Sequence, residues 1–148
     1  MAVQKDFEEL LALFNKNRIK YLIVGGYALA FHGAPRYTGD IDIFVKPDSR
    51  NADLIMATLK KFGFGDLDIK KSDFEKPGFV IQLGVSPVRI DLITSLTGVS
   101  WKESFSKKVR GKYGNVPVNY IGRTHLIKNK RKLARKKDLA DIEALGEK

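Results

Sequence analysis

Asp40 and Asp42 alternate with Ile41, Ile43 and Val45 in the run Thr-Gly-Asp-Ile-Asp-Ile-Phe-Val, and Asp91 alternates with Val88, Ile90 and Leu92 further on. Period-two alternation of β-branched residues with acids describes two strands, each with an apolar face turned to a core and an acid face turned away. On the first strand both carboxylates leave the same side, ~7 Å apart at Cα. Three acids on one sheet face repel one another and cost free energy unless a cation neutralises them. Donor sets made only of oxygen suit Mg²⁺ or Mn²⁺, and pairs of such ions run in-line phosphoryl chemistry.

The 148 residues make one domain, 1–148, with a core over about 20–94 and a basic extension over about 95–148. A chain of this length buries roughly two-thirds of the surface it exposes when unfolded. The absence of cysteine excludes a disulfide framework and a thiolate metal site. No apolar run approaches the ~20 residues that span a bilayer, and the N-terminus lacks a signal-peptide pattern, so the expected compartment is the cytosol. The net charge of +10 is unevenly placed: residues 101–137 carry 13 Lys or Arg against one acid, Glu103. That segment calls for a polyanionic partner such as RNA, DNA or a nucleotide, with a well-solvated lysine-rich surface as the plain alternative.

Periodicity places a helix over residues 3–16, a buried strand at Tyr21–Val24, a helix over 27–32 stopped by Gly33, and a strand over Asp40–Val45. Asp48 or Ser49 caps a helix reaching Phe62. Residues 64–76 read as irregular. Phe79–Leu83 and Val88–Thr94 read as strands joined by a hairpin loop at 84–87, and Lys107–Tyr113 with Val116–Ile121 as a second hairpin. Two terminal helices follow, over about Thr124–Ala134 and Asp138–Leu145, with Asp138 as the second one's cap. The order predicts an α/β (α+β) domain with a mixed sheet flanked by helices.

Gly25–Gly26, between a strand and a helix, lets backbone N–H groups approach phosphates. Taken alone, a Gly-Gly at that place is a tight turn. Its conjunction with the acids is specific. Val24–Gly25–Gly26, thirteen residues, Asp40–Ile41–Asp42–Ile43, then the strand residue Asp91 resemble the nucleotidyltransferase superfamily that includes DNA polymerase β. The longer string Gly-Gly-Tyr-Ala-Leu-Ala-Phe-His-Gly with Arg36, Thr38 and Asp40 is similar to small bacterial members related to abortive infection and toxin–antitoxin pairs. The tail Leu126–Ile127–Lys128, Arg135, Lys137–Asp138 and Asp141 resembles theirs.

The resemblance implies transfer of a nucleoside monophosphate from an NTP to an acceptor hydroxyl, with release of pyrophosphate. It implies two Mg²⁺ or Mn²⁺ ions held by Asp40, Asp42 and Asp91, and backbone contacts from Gly25 and Gly26 to the β,γ-phosphates. Asp91 would complete the catalytic ion's shell and accept the hydroxyl proton, or orient the alkoxide.

Arg36 either neutralises the triphosphate or pairs with one of these aspartates, and its planar fork favours phosphate. Thr38 stands beside it as a candidate for the nucleotide site and reads more readily as a turn or cap residue than as a ligand, His32 reads as a structural cap, and Arg89 as an ion-pair partner of Asp91. Lys128, Lys132 and Arg135 form a helical stripe suited to phosphate, while Leu126, Ile127, Leu133 and Ala134 dock that helix. Trp101, Tyr113 and Tyr120 read as core or hairpin aromatics, with base stacking as the alternative.

The acceptors expected are RNA, particularly a tRNA end, or a partner protein. A cationic antibiotic fits less well, because the C-terminal half supplies few acids. The rival reading is a catalytically silent nucleotide- or RNA-binding module, or an antitoxin-type partner protein. The sequence is silent on oligomeric state.

Overall fold

The computed structural model describes residues 3–36, 38–65, 68–85 and 88–147. Helix α1 (Lys5–Lys16) follows the expected periodicity and buries Phe7, Leu10, Leu11 and Phe14. Strand β1 (Tyr21–Val24) is buried throughout and passes directly into α2 (Gly25–Phe31), two residues earlier than its apolar run suggests. Strand β2 (Ile41–Val45) and helix α3 (Ser49–Leu59) follow. Asp48 caps α3 by accepting the Asn51 N–H at 2.7 Å. The helix runs on through a π-turn, Lys60–Phe64, where Gly63 adopts φ 106°. A 3-10 turn at Lys71–Phe74 inserts Phe74 into the core from the stretch expected to be irregular.

Strands β3 (Val80–Leu83) and β4 (Ile90–Ile93) form the first antiparallel hairpin, and β5 (Val109–Tyr113) and β6 (Val116–Tyr120) the second. Ser86 and Pro87 of the first hairpin's expected loop lie outside the described residues. Between the hairpins stands α4 (Trp101–Ser106), which periodicity misses because it is under two turns long. Its start was nevertheless written in the sequence. Ser100 accepts the Glu103 N–H at 3.1 Å, and Glu103 accepts the Ser100 N–H at 2.7 Å, a reciprocal capping box.

Helices α5 (Arg123–Leu133) and α6 (Lys136–Ala144) correct two expectations. Ala134 does not dock α5: it is exposed, and its left-handed φ of 51° ends the helix. Asp138 is not the cap of α6 but its third residue. From there its carboxylate accepts the N–H of Arg135, which is the cap.

The six strands form one mixed sheet in the order β3-β4-β2-β1-β6-β5. This is the α/β architecture the sequence predicts. β2 and β4 run parallel, with Ile41, Asp42, Ile43 and Phe44 in register with Ile90, Asp91, Leu92 and Ile93. Ile41, Ile43, Val45 and Leu92 are fully buried and anchor the apolar side of these strands. Helix α2 packs on β1 and β2, and α1 on β6 and α3. Among the described residues no helix is long and apolar enough to cross a membrane.

Candidate active site

Four strands place one row of residues side by side. Val24 pairs with Asp42, Asp42 with Asp91, and Asp91 with Gln82. Directly paired residues project from the same face, so the Asp42 and Asp91 carboxylates stand on neighbouring strands ~4.8 Å apart. Asp40, two residues before Asp42, shares that face. Phe44 lies further along it and is sealed by Trp101 of α4, ring to ring at 5.1 Å and 85°. The acid face is therefore closed at its Phe44 end; Asp91 is buried, and the row meets solvent at the exposed Gln82. Gln82 went unremarked in the sequence because only the β3–β4 register brings it beside Asp91.

Arg89 stands among the acids. Its Nε lies 2.8 Å from Asp91 Oδ1 and its Nη2 3.0 Å from Asp91 Oδ2. The same Nη2 is 3.1 Å from Asp40 Oδ2, and the Arg89 backbone N–H donates to Asp40 Oδ1 at 3.3 Å. The expected pairing with Asp91 is present, and Asp40 joins it. Arg89 in turn is held firmly in its charged form, first by its hydrogen bonds to Asp91. The Asp42 carboxyl is pushed up to about 6, first by burial, then by the charge of Asp91, hydrogen bonding with it, and Asp40, while Arg89 pulls the other way. One guanidinium thus leaves excess negative charge at the row.

Among the described residues no three His, Cys, Asp or Glu side chains stand together in a position to hold a metal ion. Asp40 and Asp91 turn to Arg89 instead. The donor chemistry nevertheless fits a hard divalent cation: oxygens alone, on paired strands, carrying uncompensated charge.

The glycine pair makes room for this arrangement. Gly25 adopts φ 64°, and a Cβ there would collide with the Asp42 carboxylate. A Cβ on Gly26 would come within 2.8 Å of Thr38 Oγ1. Thr38 itself donates to the Asp40 carbonyl at 3.4 Å, a turn contact as expected.

Arg36 pairs with an aspartate, but not one of the three. Its Nε is 3.0 Å from Asp141 Oδ1 and its Nη2 3.3 Å from Oδ2, on α6. The stripe of Lys128, Lys132 and Arg135 is broken, because α5 stops at Leu133. Lys128 is held by Glu103 at 3.2 Å, Lys132 packs on Gly98, and Arg135 binds Asp138 at 2.6 Å. The basic residue that α5 buries is Lys130, which meets Asp141 at 2.8 Å and Asp138 at 3.6 Å. Helical periodicity hides it, since a lysine at a buried position reads as solvated until its carboxylate partners are placed.

His32 is structural, with Nε2 2.7 Å from the Ile121 carbonyl. Tyr120 is buried and stacks on Phe31 at 4.1 Å, Tyr113 receives the Gln4 N–H at 2.6 Å, and Trp101 stacks on Phe105 at 4.8 Å. All three aromatics serve the packing.

Comparison with known proteins agrees with this fold. Among solved structures the chain is similar to TM1012 of Thermotoga maritima, provisionally assigned as a nucleotidyltransferase, with a TM-score of 0.63 at 13% identity over 93% of this chain and 88% of that one. It is similar to the lincosamide antibiotic adenylyltransferase LnuA, solved with lincomycin bound, at 0.56 and 12% over 98% and 97%. It is similar also to the antibiotic-resistance factor ANT(2'')-Ia, at 0.59 and 14% over 95% and 80%. At such identities these likenesses establish the shared fold. No curated protein sequence matches the chain. The model of the aminoglycoside-2''-adenylyltransferase family matches residues 6–91, more than half the chain, from the first turn of α1 to Asp91. On that match the chain belongs to the aminoglycoside-2''-adenylyltransferase family and is a nucleotidyltransferase.

Proposed function

We propose that the chain acts as a single domain that transfers a nucleoside monophosphate from an NTP to a hydroxyl on a small acceptor. The acceptor oxygen bonds to the α-phosphorus, the bond between that phosphorus and the α,β-bridging oxygen breaks, and pyrophosphate leaves. The observation that carries the reading is the register of Asp42 with Asp91, with Asp40 and Arg89 on the same face. Asp40, Asp42 and Asp91 would hold two Mg²⁺ or Mn²⁺ ions, which supply charge neutralisation at the phosphates and acidify the attacking hydroxyl. Asp91 accepts that proton or orients the oxygen, and Gly25 and Gly26 would offer backbone N–H groups to the triphosphate from the start of α2. The compartment proposed is the cytosol, where NTP is at hand.

A small acceptor is supported by the family match and by the likeness to two antibiotic-modifying folds. Low acceptor charge is supported by the neighbours of the row. Gln82 and Val80, paired with Asp91 and Ile93, are neutral and exposed. A polycationic acceptor calls for additional acids there.

RNA is the second reading. It rests on a groove of about 670 Å³ along α5, lined by Arg123, Lys128, Arg131 and Lys132. Against it, Lys128 and Arg123 are already paired with Glu103 and Glu147.

The test is label transfer from each α-³²P-NTP with Mg²⁺ or Mn²⁺, using lincomycin, an aminoglycoside or cell extract as acceptor. Small labelled products absent from the Asp42→Asn variant support the reading. Label destroyed by ribonuclease selects RNA, and label destroyed by protease selects a protein acceptor. No label with any nucleotide returns the silent binding module.

A further inference from the structure

We infer that Arg89 is a tethered counter-cation of the metal-free protein, and that a divalent ion enters among Asp40, Asp42 and Asp91 only by displacing its guanidinium. The inference rests on the reading of these aspartates as the metal site. Its basis is Arg89's own geometry. Three separate side-chain contacts tie it to two of the three carboxylates, at 2.8, 3.0 and 3.1 Å. These oxygens are the donors that an incoming ion needs.

Backbone and side chain are held differently. The Arg89 carbonyl accepts the Ile41 N–H at 3.1 Å, and its own N–H reaches Asp40, so the main chain is fixed in the ladder. The side chain is held by the carboxylates and is 29% exposed, which leaves it a path to solvent. A guanidinium does not deprotonate in a protein, so it cannot leave by losing its charge. It must swing.

Once swung out, the guanidinium sits beside the row without its carboxylates, and a triphosphate is the anion best matched to its fork. Metal and nucleotide then favour one another's binding, by the reciprocity that any two coupled ligands obey. Divalent ion alone competes with Arg89 and binds weakly. Divalent ion with nucleotide gives Arg89 a new partner and binds well.

The experiment is Mn²⁺ binding, read from the free-ion paramagnetic resonance signal, without nucleotide and with α,β-methylene-ATP. Wild type, Arg89→Met and Arg89→Lys are compared. Arg89→Met keeps the apolar stem and removes the charge. It is expected to bind Mn²⁺ without nucleotide at least about tenfold more tightly than wild type, or about 1.4 kcal/mol. The enhancement of Mn²⁺ binding by nucleotide should shrink by a similar factor. Arg89→Lys, whose ammonium cannot bridge two carboxylates as a fork does, should fall between the two.

Equal or weaker Mn²⁺ binding by Arg89→Met without nucleotide overturns the inference and leaves the metal reading standing. If Arg89→Met lacks a cooperative melt, Arg89→Lys decides: affinity equal to wild type overturns the inference. Mn²⁺ bound by none of the three, even with nucleotide, overturns the metal reading and the inference with it.

Discussion

The guanidinium of Arg36, in the loop leading to β2, forks onto the carboxylate of Asp141 in α6, 105 residues further along the chain. Lys130 of α5 shares that carboxylate at 2.8 Å and reaches Asp138 at 3.6 Å. The loop that delivers Thr38 and Asp40 is thereby fastened to both C-terminal helices. The basic tail is in part a brace for the acid strand rather than a surface for a polyanion.

This brace predicts an order of stabilities. Lys130 is buried against two buried carboxylates, and Lys130→Ala leaves Asp138 to Arg135 and Asp141 to the partly exposed Arg36, for a loss of about 3 kcal/mol, the low end for a broken buried pair. Arg36 is 43% exposed on its side chain, and Arg36→Ala leaves Asp141 with Lys130, for about 1 kcal/mol. Urea unfolding checks the ranking. Equal losses would mean that the two contacts are not arranged as described.

Asp42→Asn should separate stability from activity. Removing the Asp42 charge relieves first its burial and then its repulsion by Asp91 and Asp40, so the metal-free variant should be about 1–2 kcal/mol more stable than wild type near pH 7.5. Nucleotidyl transfer should fall by at least about a hundredfold, the size of effect that loss of a group acting in the transition state produces. Thermal melts in chelator, run beside the label assay, read both. A variant that melts earlier and stays inactive would point to a structural role alone.

The pH dependence follows from Asp138. Burial pushes its carboxyl up, but Arg135 and Lys130 outweigh burial and hold it below the ordinary carboxylate range. A carboxyl lowered in the folded state contributes stability above its unfolded value, ~3.9, and loses it as pH falls through the folded value. Wild type should therefore exceed Asp138→Asn in melting temperature at pH 7, with the gap closing below about pH 4. A gap that persists unchanged at pH 3 would show that the contribution is packing and not charge.

The glycine pair yields a rescue experiment. Gly26→Ala places its methyl 2.8 Å from Thr38 Oγ1 and should cost about 1–3 kcal/mol by overpacking. Thr38→Ala in the same chain removes the clashing hydroxyl and methyl and should recover part of that loss. Gly25→Ala should not be rescued in this way, because its φ of 64° is strained for any side chain. Equilibrium unfolding of the singles and the double supplies the comparison.

Much of this architecture was legible in the chain. Alternation in Ile41–Val45 and Ile90–Ile93 marked the strands, and the acids among them marked the face. What could not be read was lateral placement. Nothing local in Gln82 says that it neighbours Asp91, and nothing in Arg36 says that its partner is Asp141. The stripe through Lys128, Lys132 and Arg135 failed for a different reason. It assumed a continuous helix where Ala134 turns left-handed, a conformation that side-chain periodicity does not report. The capping box at Ser100 and Glu103 was a missed local signal.

The contact between Arg89 and Asp40 spans 49 residues, and β3 and β4 are added to the sheet only through β2. Loop closure over such a distance comes at an entropic cost before the pairing rewards it. A nucleotide–metal complex gripping Asp42 and Asp91 together would act as a clasp on the outer hairpin, slowing amide exchange in β3 and β4 while leaving α1 and β6 unchanged.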